Sequence, residues 1–233
     1  MSSAGQRKKS KGRPMINKQT FDFLRKLARN NNREWFNANK KQYEQSRGEM
    51  RELTMFLIGE IGKFDETVQG VLPEDCLFRI YRDVRFSREK APYKTNMGSF
   101  IKSGGRRTSG AGYYLHIAPG ESMLAVGIYM PPAPELNALR NAIVKDSAAF
   151  RKIISNRALV REFGELQGER LKTAPRGFPR DHPEVEFLKL KSYTFFKSIT
   201  DDEVVRDDFP RRAVRSFMAG ADFNRHINGV LGV

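Results

Sequence analysis

Residues 112–131 read GYYLHIAPGESMLAVGIYMP, and the fold is decided there. Tyr113–Ile117 and Met123–Tyr129 are short runs of aromatic and aliphatic residues, with Pro119 and Gly120 between them. Two β-favouring runs around a Pro-Gly turn predict an antiparallel hairpin. Both runs are apolar at nearly every position, which predicts a hairpin inside a sheet with both faces covered. His116, within it, is expected as a hydrogen-bonded core residue.

The same pattern recurs on either side. Cys76–Tyr81, Gly98–Ser103 and Ser192–Ile199 are further short runs bounded by turn residues, for an antiparallel sheet of about four to six strands. Before the sheet the periodicity is helical. Asn17 is a cap for a helix with Phe21, Leu24, Leu27 and Ala28 on one face, followed by Arg33–Phe36 and about Lys40–Gly62. In the last of these, Tyr43, Met50, Leu53, Leu57 and Ile61 recur at helical spacing, and Trp35 and Phe36 are expected to pack between the helices. After the sheet, Pro131–Pro134 punctuates the chain, and helices are expected at Glu135–Lys145, Ser147–Ser155, Arg157–Gly164 and about Asp207–Asn228. The last would turn Val214, Phe217, Met218, Ala221 and Ile227 inward. Helices, a meander, then helices make an α+β fold.

Composition bounds the partners. The chain has 233 residues, 39% of them hydrophobic, enough for a real core. Its formal net charge is +15. Arg7, Lys8, Lys9, Lys11 and Arg13 give residues 1–15 the look of a disordered basic arm, which leaves residues 16–233 as one domain. Without those five cations, 37 basic residues still face 27 acidic ones, so the folded part favours anionic partners. Cys76 is the single cysteine, so no intrachain disulfide forms, and it is expected in the core rather than as a nucleophile. The charged first residues lead into no apolar stretch, and no run is long enough to span a bilayer; no membrane partner and a cytoplasmic location are expected.

The basic excess is concentrated. Residues 79–94 read RIYRDVRFSREKAPYK; through Arg107, nine basic residues face only Asp83 and Glu89. Strand alternation would turn Phe78 and Ile80 inward and Arg79, Tyr81, Asp83 and Arg85 to the other face. Guanidinium groups gathered on one face repel one another unless something negative joins them, and they grip phosphate or carboxylate through paired hydrogen bonds. Arg79, Arg82, Arg85 and Lys94 are therefore candidate ligand-binding residues, with Arg176 and His182 brought in by the Pro175–Pro183 loop and Arg106 on a Gly-rich loop that reads first as a plain flexible hairpin loop and otherwise as a lid closing Arg106 or Arg107 over an anion. Asp83, Lys90 and Tyr93 are the candidate catalytic residues, with Glu34 and His182 as further acid–base candidates. Between arginines Asp83 would stay ionised and orient groups rather than accept protons. A purely structural alternative is a salt-bridge knot around Asp83. The excess of positive charge speaks for a ligand, since a knot would be closer to neutral.

Here the chain resembles the bacterial and fungal family catalogued as domain of unknown function 2461. Its signature, Arg-x-x-Arg-Asp-x-Arg-Phe-x-x-x-Lys-x-Pro-Tyr, is present as Arg79, Arg82, Asp83, Arg85, Phe86, Lys90, Pro92 and Tyr93. NNREWF at 31–36, the hairpin above and LKTAPRGFPRDHPEVEFLKLKSY at 171–193 also resemble family landmarks, so the likeness spans most of residues 17–210. It implies membership and carries no activity with it.

No His/Cys pattern has metal-ligand spacing, and no dinucleotide or phosphate-loop fingerprint or nucleophile elbow is present; neither metal nor cofactor is expected. Three readings stay open. The first is a small phosphorylated or carboxylated ligand, bound by an enzyme or a sensor derived from one. The second is nucleic acid, met by the arm, Arg211, Arg212, Arg215 and exposed rings. The third is an acidic protein partner. The first is favoured because the motif mixes residue types more than phosphate tracking requires. Oligomeric state is not legible.

Overall fold

A computed structural model describes residues 14–83 and 90–233. Of the expected basic arm, residues 1–13 lie outside the described residues, as do residues 84–89, which include Arg85 and Phe86 of the signature.

The chain opens with α1 (Lys18–Arg29), α2 (Arg33–Ala38) and α3 (Lys40–Ile61), passes a short 3-10 turn at Glu66–Val68 and reaches α4 (Pro73–Cys76). Three strands come next, β1 (Met97–Ile101), β2 (Gly112–Ile117) and β3 (Met123–Ile128). Then come α5 (Ala133–Lys145), α6 (Ser147–Ile154), α7 (Arg157–Phe163), α8 (Val185–Leu188), strand β4 (Tyr193–Ser198), α9 (Asp201–Val204) and α10 (Phe209–Leu231). The sheet is antiparallel throughout with order β1-β2-β3-β4, so the α+β expectation holds.

The hairpin turns where expected: Gly120 takes φ of +75°, a conformation glycine adopts without strain, and the Glu121 amide donates to the Ala118 carbonyl at 3.1 Å. Strand alternation then divides the sheet. Tyr113, Leu115, Ile117, Leu124, Val126, Ile128, Tyr193 and Phe195 are buried on one face. Helix α10 lies across that face so closely that a Cβ on Gly220 would come within 2.6 Å of the Val126 side chain. Phe217 meets Tyr113 edge-on at 5.5 Å and Phe223 meets Phe195 at 5.0 Å. Each such ring contributes on the order of 1.5–3 kcal/mol through burial.

Helix spans match the sequence closely, with two exchanges on their inner faces. Phe23 rather than Ala28 completes the buried face of α1, where it stacks on Trp35 at 6.0 Å. Met218 of α10 is half-exposed, and Gly220 and Phe223 take the inner positions. Asn17 precedes α1 but does not cap it with its side chain; its amide and side chain bind Glu49 of α3 instead.

Two larger expectations are corrected. Cys76–Tyr81 is not a strand: α4 ends at Cys76, and the next residues make only single bridges, Leu77 to Ser99 and Tyr81 to Tyr93. Pro92, which has no N–H to donate, stands beside the second bridge and helps limit it. Without sustained extension the period of two breaks, so Ile80 is buried while Phe78 is 41% exposed. The hairpin is also not covered on both faces. Gly112, Tyr114, His116, Met123, Ala125 and Gly127 line a cavity on the face away from α10.

Candidate functional site

The two ends of the signature are tied together before any ligand is considered. The Arg82 amide donates to the Pro92 carbonyl at 2.9 Å, and the Lys94 amide to the Ile80 carbonyl at 2.7 Å. These bonds clamp Arg79–Asp83 against Pro92–Lys94. Asn31, between α1 and α2, holds the second segment from outside: its side-chain amide donates to the Tyr93 carbonyl at 2.9 Å and its Oδ1 accepts from the Tyr93 amide at 3.1 Å. The Tyr93 ring stacks on Phe36 at 4.0 Å and leans on Tyr81 at 5.4 Å. This aromatic cluster fixes the signature's backbone to the helical layer.

From that anchored backbone, side chains reach the open face of the sheet. The Phe78 ring stands edge-on to Tyr114 at 6.1 Å over Gly98, where a Cβ would sit 3.0 Å from the Tyr114 hydroxyl. Two cations flank Phe78: the Lys94 ammonium lies 5.3 Å from its centroid and the Arg106 guanidinium 5.6 Å. Cations over an aromatic face are held by its quadrupole. Arg82, Asp83, Lys94, Thr95 and Asn96 share a cavity of about 510 Å³ with Phe78, Tyr114 and His116. Those three rings also belong to a neighbouring, mainly apolar cavity of about 870 Å³ that spreads over β2, β3 and β4 and includes Arg106.

Electrostatics mark the place where these cavities meet. Burial pushes the Lys94 ammonium below its ordinary value, and Arg79, Arg106 and Arg82 push it further. Four cations therefore act on one small volume, and Asp83 is the one acidic residue in the smaller cavity's described lining. On the cavity floor, Tyr114 and His116 hydrogen-bond through the hydroxyl and Nδ1 at 2.9 Å. Burial holds His116 below its ordinary value, against an opposing pull from Glu121, and lifts the Tyr114 phenol to about 12. The pair is neutral at neutral pH, and with Nδ1 engaged, His116 Nε2 and the remaining capacity of the Tyr114 hydroxyl can meet a bound group.

The loop from Ser103 to Gly110 is built on a buried cation. Lys102 is 4% exposed and its ammonium donates to the Thr108 carbonyl at 2.6 Å and the Gly110 carbonyl at 2.9 Å. Lys102 thus stitches the loop rather than adding to the cation cluster. The Arg106 amide donates to the Asp75 carbonyl at 3.0 Å, which sets the direction in which Arg106 leaves the loop.

Arg82, Asp83, Lys94 and Arg106 are thus gathered around the cavities, with Arg79 close enough to act on Lys94. Tyr93 is buried in the aromatic cluster, and Lys90 is exposed and outside both linings. Arg85 lies outside the described residues. The 175–183 loop does not deliver Arg176 or His182 to either lining. His182 starts α8 instead: its Nδ1 accepts from the Glu184 amide at 3.0 Å and its carbonyl from the Val185 amide at 2.9 Å. Cys76 is buried, with its thiol pushed up to about 12 by burial.

Sequence reasoning passed over Phe78, Tyr114, His116, Phe100 and Phe196 as site residues. A signal was present. Gly112 and His116 in one arm and Ala125 and Gly127 in the other are small or polar positions between large core residues, within runs that otherwise read as apolar throughout.

Among the described residues, no three His, Cys, Asp or Glu side chains gather as a metal site requires, and no helix is long and apolar enough to cross a membrane. A family model described as a conserved hypothetical protein (DUF2461) matches residues 19–226. No curated protein and no solved structure matches the chain.

Proposed function

The chain belongs to the DUF2461 family, and from the geometry of its site we propose that it binds a small phosphorylated or carboxylated ligand where the two cavities meet. The carrying observation is geometric: Lys94 and Arg106 flank the Phe78 ring, at 5.3 and 5.6 Å from its centroid, where the two cavities meet, and Arg82 lines the smaller one. Cations gathered around one cavity favour an anionic group there. Lys94 and Arg106, on either side of Phe78, would meet the anionic group, and Arg82 would add a guanidinium able to grip it through paired bonds. Asp83 would orient those cations, and the Tyr114–His116 pair would contact the ligand from the sheet.

Thermal stabilisation by inorganic phosphate, pyrophosphate, a sugar phosphate and a dicarboxylate, each at two salt levels, tests this reading. An anion at about 100 times its Kd should stabilise by about 2.7 kcal/mol, and Lys94→Ala and Arg106→Ala should each weaken binding about tenfold or more, the worth of a charge-assisted hydrogen bond. An unchanged melting point with every anion, or equal shifts in both variants, would sink it.

Nucleic acid is the second reading, favoured by Tyr129 at 78% exposure and by exposed Arg211 and Arg215 on α10. It predicts stabilisation by a single-stranded oligonucleotide that collapses with salt and ignores both substitutions.

A further inference from the structure

The cation cluster occupies one edge of a longer trough, and the trough's floor is made of small residues. On the open face, Gly112 stands opposite Gly127 and Tyr114 opposite Ala125 across the β2–β3 ladder. Across β3–β4, Gly127 stands opposite Thr194 and Ala125 opposite Phe196. Gly127 is fixed by the backbone: its φ is +113°, and a Cβ would lie 2.1 Å from the Tyr193 carbonyl oxygen. At Gly112 a Cβ would lie 2.6 Å from the Ile101 carbonyl oxygen. Gly112, Ala125 and Gly127, all without bulky side chains, therefore form the floor of the cavity. Rings wall it: Phe100 and Tyr114, edge to face at 6.3 Å, on one side, and Phe196 on the other.

Residues beyond both edge strands line the trough. Phe78 and Arg106 bound it beyond β1, and Gln167, Gly168 and Glu169 bound it at β4, where Gln167 bridges to Thr194. Crossing from β1 to β4 covers three strand spacings, roughly 14 Å. A bare phosphate or dicarboxylate at the cations would leave most of an 870 Å³ cavity unfilled. A flat floor between rings suits a planar ring, which stacks on aromatic faces and packs against backbone. At the far end the Thr194 hydroxyl, which donates to the Gln167 carbonyl at 3.1 Å, keeps its acceptor side, and it and the Gln167 side chain can meet the edge of a heterocycle. A lining that ends on these residues at both edges suits a discrete molecule rather than a strand running across the sheet.

We propose that the anion taken by this site is a nucleotide, its base over Gly112, Gly127 and Ala125 between Tyr114 and Phe196, and its phosphate at Lys94 and Arg106. This rests on the anion-site reading and narrows it.

Isothermal titration of the full chain with AMP, UMP, ribose phosphate, adenosine and a short oligouridylate tests it. The nucleotides should bind at least about tenfold more tightly than ribose phosphate, the gain expected from one stacked base. Ala125→Leu, which raises a side chain from the floor, should abolish that margin and leave ribose phosphate affinity intact. Phe196→Ala, removing an exposed wall, should narrow the margin and gives an independent variant if Ala125→Leu fails to fold. Lys94→Ala should weaken AMP, UMP and ribose phosphate together and leave adenosine alone. Equal binding of ribose phosphate and nucleotides overturns the nucleotide assignment while the anion site survives. Failure of every phosphorylated compound to bind overturns both. An oligouridylate more than about tenfold tighter than UMP, with steep salt dependence, overturns the discrete-ligand assignment in favour of a strand.

Discussion

Lys94 carries the electrostatic case. Its ammonium is held below the ordinary 10.5 by burial and by Arg79, Arg106 and Arg82, so an anion that neutralises the cluster should raise it. A group whose pKa rises on binding takes up a proton with the ligand, and affinity then falls as pH climbs from the free value toward the bound one. Affinity for a dicarboxylate, whose own charge is constant there, should decline as pH rises through the lowered free value of Lys94 toward 10.5, and Lys94→Arg, charged throughout, should flatten that decline. His116 makes a separate prediction about stability. Burial holds it below its ordinary 6.5, so the folded state binds fewer protons than the unfolded one in that interval. Its contribution is fully present above 6.5 and is lost as pH falls through the lowered folded value. Denaturant unfolding between pH 7.5 and 5 should show stability falling with acid, and His116→Gln should remove part of the slope. His226, also lowered by burial, adds to the same slope, and Glu162 and Glu203, held low by their partners, add to it near its acid end. An unchanged slope in the variant would contradict the burial of His116.

At the scale of elements, the Ser103–Gly110 loop is ordered by one buried side chain. Replacing Lys102 by Met leaves the Thr108 and Gly110 carbonyls without their donor, which should cost about 1–3 kcal/mol for each left unsatisfied. Urea unfolding should show that loss, and amide exchange should quicken through residues 104–110. Unaltered exchange there would mean that the glycine-rich turn holds itself. Elements were also where the sequence spoke most clearly. Helix spans came from apolar spacing, and the hairpin from Pro119-Gly120 between two β-favouring runs. The supposed strand at Cys76–Tyr81 misled, because aromatic and β-branched composition is shared by extended chain that pairs only at isolated bridges. Lys102 was equally illegible: a lysine beside Arg106 and Arg107 looks like one more surface charge until the loop carbonyls around it are seen.

In the whole molecule, one face of a four-stranded sheet is spent on the core with α10, and the other is left open to rings and cations. The signature's charge density pointed to Arg82, Asp83 and Lys94, and they do line the smaller cavity. Sequence could not show that this cluster stands at the edge of a sheet cavity, because Phe78, Tyr114 and Arg106 meet only through pairing of distant strands and loops. Nor could local pattern reveal that His182 begins a helix away from both linings, since its role depends on where α8 starts. The central claim is a location: anions gather where Lys94 and Arg106 flank Phe78. The most direct measurement is a two-dimensional amide NMR titration of the full chain with pyrophosphate at physiological salt. Saturable shifts should concentrate at Lys94–Gly98, Arg106 and Tyr114–His116. Shifts concentrated on Arg211–Arg215 of α10, or spread over the basic surface without saturation, would contradict it.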